Sequence, residues 1–133
     1  MFDGDLYFLS NFYPCNITIN GITFPSVENA FQSRKCANYS DMIKFRDITS
    51  GQAKRLGRRI EMRDDWDSVK LDVMYDLVKI KFSNPELKSR LLSTGDYELV
   101  ENNNWKDFYW GRCNGVGQNH LGKILMRVRE ELR

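Results

Sequence analysis

Near the start of the chain, four apolar residues between positions 17 and 24 alternate with polar ones. Asn20-Gly21 lies at the centre of this segment, and that dipeptide is typical of a two-residue type I′ turn between antiparallel strands. Ser26 follows directly after Pro25 and is a suitable N-cap residue. The pattern therefore predicts a β-hairpin over residues 17–24, followed by a helix over residues 27–37.

Apolar residues at helical spacing predict further helices along the rest of the chain. They cover residues 41–47, 51–60 with Ser50 as N-cap, 67–82, 86–93 after Asn84-Pro85, and 119–132. The 67–82 segment has apolar residues on two sides, which is typical of a central helix. Residues 97–101 are predicted as a strand and residues 102–118 as a long polar and aromatic loop. The predicted class is α+β: a single, mainly helical domain over residues 1–133 with a small antiparallel sheet.

Composition places the chain among ordinary folded proteins, because 41% of its residues are hydrophobic and 29% are charged. No apolar run approaches the ~20 residues that a membrane span needs. The first residues lack the basic and apolar regions of a secretory signal, so we expect a cytoplasmic protein without membrane contact. A net charge of +2 is too small to identify a nucleic-acid-binding protein by itself.

Cysteine and histidine residues are too few and too widely spaced to predict a metal site. The candidates are Cys15, Cys36, Cys113 and the single histidine, His120. A zinc site would need all four of them, without the usual short spacing between ligands. We therefore expect reduced thiols, no metal and no cofactor. His120 is predicted to lie on the surface in the first turn of the last helix.

The first predicted helix carries a polar stripe, since Glu28, Gln32 and Lys35 follow one another at i, i+4 and i+7. Glu28 lies in the first turn, where the helix dipole favours a charged carboxylate. Such a carboxylate can act as a base or stabilise a cationic transition state. The alternative is that Glu28 only stabilises the helix N-terminus and Lys35 is a solvated charge, because polar helix faces are common.

Residues 105–110 hold four aromatic side chains around Asp107, a composition that suits stacking of a planar base and hydrogen bonding to a ribose. The alternative is an aromatic anchor that attaches the loop to the core. The glycines that follow, from Gly111 to Gly122, resemble a phosphate-binding loop before a helix, although the match is imperfect. Lys54 and Arg58 belong to a basic cluster that can bind phosphate, or else forms a solvated face.

Sequence blocks that fall in order over almost the whole chain resemble the NADAR domain family, the YbiA-like N-glycosidases. The blocks are FLSNFYP (8–14), PSVENAFQSRK (25–35), AKRLGR (53–58), Trp66 with Met74, LSTG (92–95), LVE (99–101), Asp107, Trp110-Gly111, NHLG (119–122) and LMRVR (125–129). The chain departs from the family at Asn29, where relatives often carry histidine. It also carries Cys113 where glycine is common.

The resemblance implies a mainly helical α+β fold, no metal, and hydrolysis of a ribosyl–base bond. The implied substrate is a phosphorylated, early riboflavin-pathway intermediate, or an ADP-ribosylated base, including modified guanine in nucleic acid. The implied polar pocket comprises Asn11, Glu28, Gln32, Lys35, Trp66, Asp107, Trp110 and Asn119.

From the residue patterns and the family resemblance together, we expect Glu28 and Asp107 to be the catalytic carboxylates. Trp66 or Trp110 would stack the base, while Lys35, Lys54 and Arg58 would bind phosphate. The alternative is a module that binds ADP-ribose or nucleotides without cleaving them. A protein that only binds phosphorylated ligands gains little from two nearby carboxylates, because their negative charge opposes binding of phosphate. The two carboxylates therefore favour the enzyme over the binding module.

Overall fold

The computed structural model describes residues 2–133. Contacts between Cα atoms divide the chain into two compact units. One is the continuous segment Asn11–Lys81, and the other combines Met1–Ser10 with Phe82–Arg133. The single domain over residues 1–133 stays a prediction.

The Asn11–Lys81 unit begins with the predicted hairpin. Strands β1 (Ile17–Ile19) and β2 (Ile22–Phe24) are antiparallel, with Ile17 opposite Phe24. At the turn, Asn20 and Gly21 have φ values of 50° and 82°, as a type I′ turn requires. The hairpin prediction is therefore confirmed.

Helix α1 (Val27–Arg34) follows, and the Ser26 side chain accepts a hydrogen bond from the Asn29 backbone N–H. This bond confirms Ser26 as the N-cap. The helix ends three residues before the predicted residue 37. Helix α2 (Tyr39–Met42) and the 3-10 helix Ile43–Phe45 then confirm a helical segment close to residues 41–47.

Helix α3 (Ser50–Leu56) is capped by Thr49 and not by Ser50, so that prediction is wrong. Thr49 and Gln52 form a reciprocal capping box, in which each side chain bonds the other residue's backbone N–H. The helix also ends earlier than predicted, so Arg58 lies beyond its last turn.

Helix α4 (Trp66–Lys81) is the longest of the described elements. It packs against α1 and β1. Val73 and Leu77, on one of the two predicted apolar sides, are buried, and so are Met74 and Val78 on the other. Leu71 and Ile80, one from each side, are 39% and 38% exposed. Both predicted sides therefore bury residues, and each also leaves an apolar residue partly exposed.

The other unit contains the 3-10 helix Gly4–Leu9, helix α5 (Pro85–Ser93), short strands β3 (Asn102–Asn103) and β4 (Arg112–Cys113), and helix α6 (His120–Glu131). Asn84 caps α5 through its side chain, as predicted. Apolar side chains of α5 and α6 form much of the core, with Leu91, Leu125 and Val128 almost completely buried.

The strand predicted over residues 97–101 is wrong. Regular pairing begins only at Asn102, and β3 pairs with β4 in parallel, a pairing that the sequence did not indicate. For the residues just before β3, the Asn119 side chain takes the place of a neighbouring strand. Its Oδ1 accepts the Glu101 N–H at 3.0 Å, and its Nδ2 donates to the Leu99 carbonyl at 3.0 Å.

These elements confirm the predicted α+β class, which is mainly helical. None of the helices within residues 2–133 combines the length and apolar character that crossing a membrane requires.

Asn29 is the central polar residue of the Asn11–Lys81 core and is completely buried. Its Nδ2 donates to the backbone carbonyls of Phe45 and Ile48, both at 2.8 Å. Its Oδ1 accepts the Ser26 hydroxyl at 2.6 Å. One amide therefore joins α1 to the segment that leads into α3.

We predict that Asn29→Ala lowers the free energy of unfolding by about 2–4 kcal/mol, because one buried and one partly buried carbonyl lose their donor. Urea unfolding followed by circular dichroism measures the loss. The matched control is Asn16→Ala, since Asn16 is exposed and should change stability by no more than about 0.5 kcal/mol. Equal effects of the two substitutions would contradict this assignment.

Candidate active site

Helix α1 presents Glu28 and Gln32 on one face, as their spacing predicts. Glu28 is only 8% exposed, and the Gln32 Nε2 donates to its Oε1 at 3.0 Å. The Glu28 backbone N–H donates to the Asn11 carbonyl at 3.0 Å. The Glu28 carboxylate is therefore bonded by the next helix turn, while its backbone is bonded to the segment before β1.

Lys35 extends the same stripe and reaches the end of α3. Its Nζ donates to the Gly57 carbonyl at 2.9 Å. Burial lowers the pKa of Lys35, the charges of Cys36 and Glu28 oppose that shift, and Arg58 and Lys70 add to it. Lys35 therefore interacts electrostatically with two other positive charges and with the Glu28 carboxylate.

Two further predicted site residues lie in the same unit. The Asn11 Nδ2 lies 3.6 Å from the Met74 sulfur, while the Asn11 backbone carbonyl contacts Glu28 as described. Trp66 is 5% exposed, and its ring packs against Phe31 with centroids 4.9 Å apart. The indole is a core side chain in this conformation, and stacking on a substrate base stays a prediction.

Lys54 lies in α3 and is half-buried, while Arg58 is exposed just beyond the helix. The structure therefore brings together Glu28, Gln32 and Lys35 with Asn11 and with the turn that carries Arg58.

Asp107, Trp110 and Asn119 lie in the other unit. The Asp107 Oδ1 accepts the backbone N–H groups of Tyr109 at 3.1 Å and Trp110 at 2.9 Å, so this carboxylate shapes its own turn. Asn103 holds the same turn by donating to the Asp107 carbonyl and accepting its N–H. A catalytic role for Asp107 and a binding role for Asn119 stay predictions.

His120 was expected on the surface, but it is half-buried. Its ring lies 4.5 Å from that of Tyr109 and 6.4 Å from that of Trp110, measured between centroids. The tyrosine and tryptophan rings meet edge to face at 4.8 Å. The aromatic residues at this end of the loop therefore pack on α6, as an anchor would.

The phosphate-binding interpretation of the glycine segment is wrong at the start of α6. The N–H groups of Asn119, His120 and Leu121 already donate to loop carbonyls at 3.2, 3.1 and 3.0 Å. A Cβ at Gly122 would overlap the Leu99 carbonyl oxygen. Close backbone packing explains this glycine.

Within residues 2–133, no three His, Cys, Asp or Glu side chains come together as metal ligands would. Independence from metals stays a prediction.

The geometry just described defines a helical α+β protein with a buried carboxylate next to clustered cations. Residues 2–133 match the sequence model of the NADAR domain. The chain belongs to the NADAR domain family.

Several known proteins are similar to this chain. A riboflavin biosynthesis protein of Vibrio vulnificus is 44% identical over 95% of the chain, which spans only 35% of that protein's length. An N-glycosidase of Nostoc punctiforme is 39% identical over 93% of the chain and 84% of its own length. The NMR structure of the Escherichia coli protein YbiA has a TM-score of 0.88 and 35% identity, and the match covers 99% of this chain and 81% of YbiA.

Lys81 is a buried charge that the sequence analysis missed. It is 3% exposed at the end of α4. Its Nζ lies over the Tyr13 ring, 5.5 Å from the centroid. Burial lowers its pKa to about 8, and the neighbouring Cys15 thiol partly opposes this shift. Lys81 follows Leu77 and Val78 by four and three positions, so it lies on the apolar face of the helix. This spacing was the sequence signal that could have predicted its burial.

We predict that wild-type stability rises relative to Lys81→Met between pH 8 and pH 10.5, by roughly 2–3 kcal/mol. Below the folded pKa of about 8, the native state carries the full cost of a buried ammonium group. Between that value and the ordinary 10.5, the unfolded chain binds more protons, so raising the pH favours folding. Urea unfolding at a series of pH values measures this.

Lys79→Met is the matched control, because Lys79 is an exposed lysine of the same helix. Its stability should follow the wild-type pH dependence. A wild-type curve parallel to that of Lys81→Met across this range would contradict the prediction.

Proposed function

We propose that this protein is an N-glycosidase that hydrolyses a ribosyl–base C–N bond. The substrate proposed first is a phosphorylated riboflavin-pathway intermediate, and the second is an ADP-ribosylated base. The observation that carries the proposal is Glu28, a buried carboxylate bonded by Gln32 and placed beside a cluster of positive charges. Membership of the NADAR family, with relatives named as N-glycosidases, supports the same chemistry.

The proposed chemistry follows from the charge that develops as the C–N bond breaks. The electron pair leaves with the base nitrogen, which gains a proton, and water supplies the hydroxyl group that bonds to the anomeric carbon. Positive charge builds on the ribose, as in the oxocarbenium-like state of glycoside hydrolysis. A negatively charged Glu28 stabilises that charge or orients the attacking water, and its burial strengthens both effects.

The cations around Lys35 account for a phosphorylated substrate. Arg58 is exposed and interacts electrostatically with Lys35, and Lys54 lies on the preceding helix. Guanidinium and ammonium groups bind phosphate by charge-assisted hydrogen bonds. We propose that Arg58, Lys35 and Lys54 bind the phosphate of the substrate, which places its ribose towards Glu28.

The name of the Vibrio vulnificus relative favours the riboflavin-pathway substrate over ADP-ribose. Mass spectrometry after incubation with each candidate substrate tests this choice, with release of a free base as the readout.

The alternative function is a module that binds such ligands without cleaving them. Binding of either substrate without release of base would favour this alternative. A module that only binds phosphorylated ligands has no use for a buried carboxylate beside its cations, since the negative charge opposes binding.

The first prediction here tests Glu28 as a catalytic residue. Glu28→Gln keeps the size of the side chain but removes its charge. We expect kcat to fall on the order of a hundredfold or more, with a smaller effect on substrate binding. Steady-state kinetics and thermal unfolding of the same preparation measure both effects.

Glu86→Gln is the matched control, because both glutamates occupy the second position of their helix and Glu86 is exposed. It should lose about 0.3–1 kcal/mol of stability, the usual contribution of a carboxylate near a helix N-terminus, and keep its activity. A folded Glu28→Gln variant with normal kcat would remove Glu28 from the mechanism.

The second prediction concerns Arg58. Arg58→Met should weaken binding of the phosphorylated substrate by roughly ten- to a hundredfold, the equivalent of one lost charge-assisted contact. The dephosphorylated substrate should bind wild type and Arg58→Met equally. Arg127→Met, at an exposed arginine of α6 paired with Glu131, is the control and should bind both substrates as wild type does. Equal losses for the two substrates would exclude a phosphate contact.

A further inference from the structure

Gly57 is a glycine that its own backbone does not require. It follows the last residue of α3, with φ of −59° and ψ of −17°. These are ordinary right-handed helical values, which every L-residue adopts easily. The reason for glycine at this position must therefore lie in what surrounds it.

The space beside Gly57 is occupied by the side chain of Gln32. A Cβ at Gly57 would overlap the Gln32 Oε1 and lie 2.7 Å from its Cδ. The next nearest atom, the Ala53 carbonyl oxygen, would lie at 3.3 Å, which needs only a small adjustment. Contact with Gln32 is therefore the main obstacle to a side chain here.

The Gln32 amide has one bonded end and one unbonded end. Its Nε2 donates to Glu28, while its Oε1 is buried and accepts no hydrogen bond within the described part of the chain. A buried acceptor without a donor lowers stability. Rotating the amide by half a turn would not remove this cost, because the oxygen would then face the Glu28 carboxylate. The bond to Glu28 therefore fixes the orientation of the amide.

The same glycine also contacts the third residue of the stripe, since its carbonyl accepts the Lys35 ammonium group. Gly57 thus touches Gln32 with its α-carbon and Lys35 with its oxygen.

We propose that Gly57 is a positioning residue for Glu28: its missing side chain leaves the space in which Gln32 holds the carboxylate. This role rests on the catalytic function proposed for Glu28. Gln32 is then a positioning residue as well, and its amide oxygen is directed at Gly57 and not at a substrate.

The test is Gly57→Ala, with Gly51→Ala as the matched control. Both glycines belong to α3 or its C-cap, and a Cβ at Gly51 would meet only the Arg55 Nη1, at 3.8 Å. Gly57→Ala should lower kcat by roughly ten- to a hundredfold, the effect of a displaced catalytic group, with a smaller change in KM. Gly51→Ala should keep wild-type kinetics.

A double-mutant cycle separates positioning from a general effect on folding. In the Gln32→Ala background the overlapping amide is absent, so adding Gly57→Ala should lower neither kcat nor the unfolding temperature further. A loss as large as in the wild-type background would overturn the proposal. This comparison still decides the question if Gly57→Ala alone fails to fold.

A readout without substrate keeps the positioning proposal separate from the proposed function. In ¹H–¹⁵N spectra the Gln32 side-chain amide signal is assigned by its absence from Gln32→Ala. Gly57→Ala should shift this signal, and Gly51→Ala should not. An unshifted signal in folded Gly57→Ala overturns the positioning role. A shifted signal in a protein that releases no base from any substrate supports the geometry and refutes the N-glycosidase.

Discussion

The burial of α1 is the constraint on which the Asn11–Lys81 unit depends. Most residues of this short helix are buried, including Glu28, Asn29 and Ser33. A buried polar group without a hydrogen-bond partner is costly, so each side chain needs a partner inside the protein. Asn29 bonds two carbonyls of the following segment, Ser33 bonds the Ala30 carbonyl, and Glu28 accepts the Gln32 amide. A helix with many polar residues can lie in the core because each of these side chains finds a hydrogen-bond partner.

The two sides of α1 satisfy this constraint differently. On the Asn29 side the amide nitrogen and oxygen are both bonded, and the nitrogen connects α1 to the chain before α3. On the Gln32 side one buried oxygen accepts no hydrogen bond within residues 2–133, which lowers stability. Side chains that lower stability while fixing a reactive group are typical of functional sites. The incomplete side of the helix is therefore the one where chemistry is expected.

The sequence predicted the local features that depend on one or two residues. Asn20-Gly21 identified the hairpin, and Ser26 and Asn84 identified two helix starts, because turn and cap preferences act within a few positions. It did not predict features made by distant partners. Asn119 replaces a strand partner for residues 99–101, and the space for Gln32 comes from Gly57, which is 25 positions away. The stripe of Glu28, Gln32 and Lys35 was predictable from spacing, but not the carbonyl that fixes the lysine.

The sequence of the loop with residues 105–110 was as suitable for a catalytic site as that of α1. The hydrogen bonds of the loop show how its polar residues differ from Glu28. Asp107 uses one oxygen to bond two N–H groups of its own turn, and Asn119 uses both ends of its amide on the backbone. Removing either side chain would disturb the loop, so lost activity in such a variant would not identify a catalytic group. At Glu28 the partner is another side chain, and the backbone is bonded independently of the carboxylate. A change of charge there leaves the local structure largely in place, which makes Glu28 the residue where loss of activity reports on chemistry.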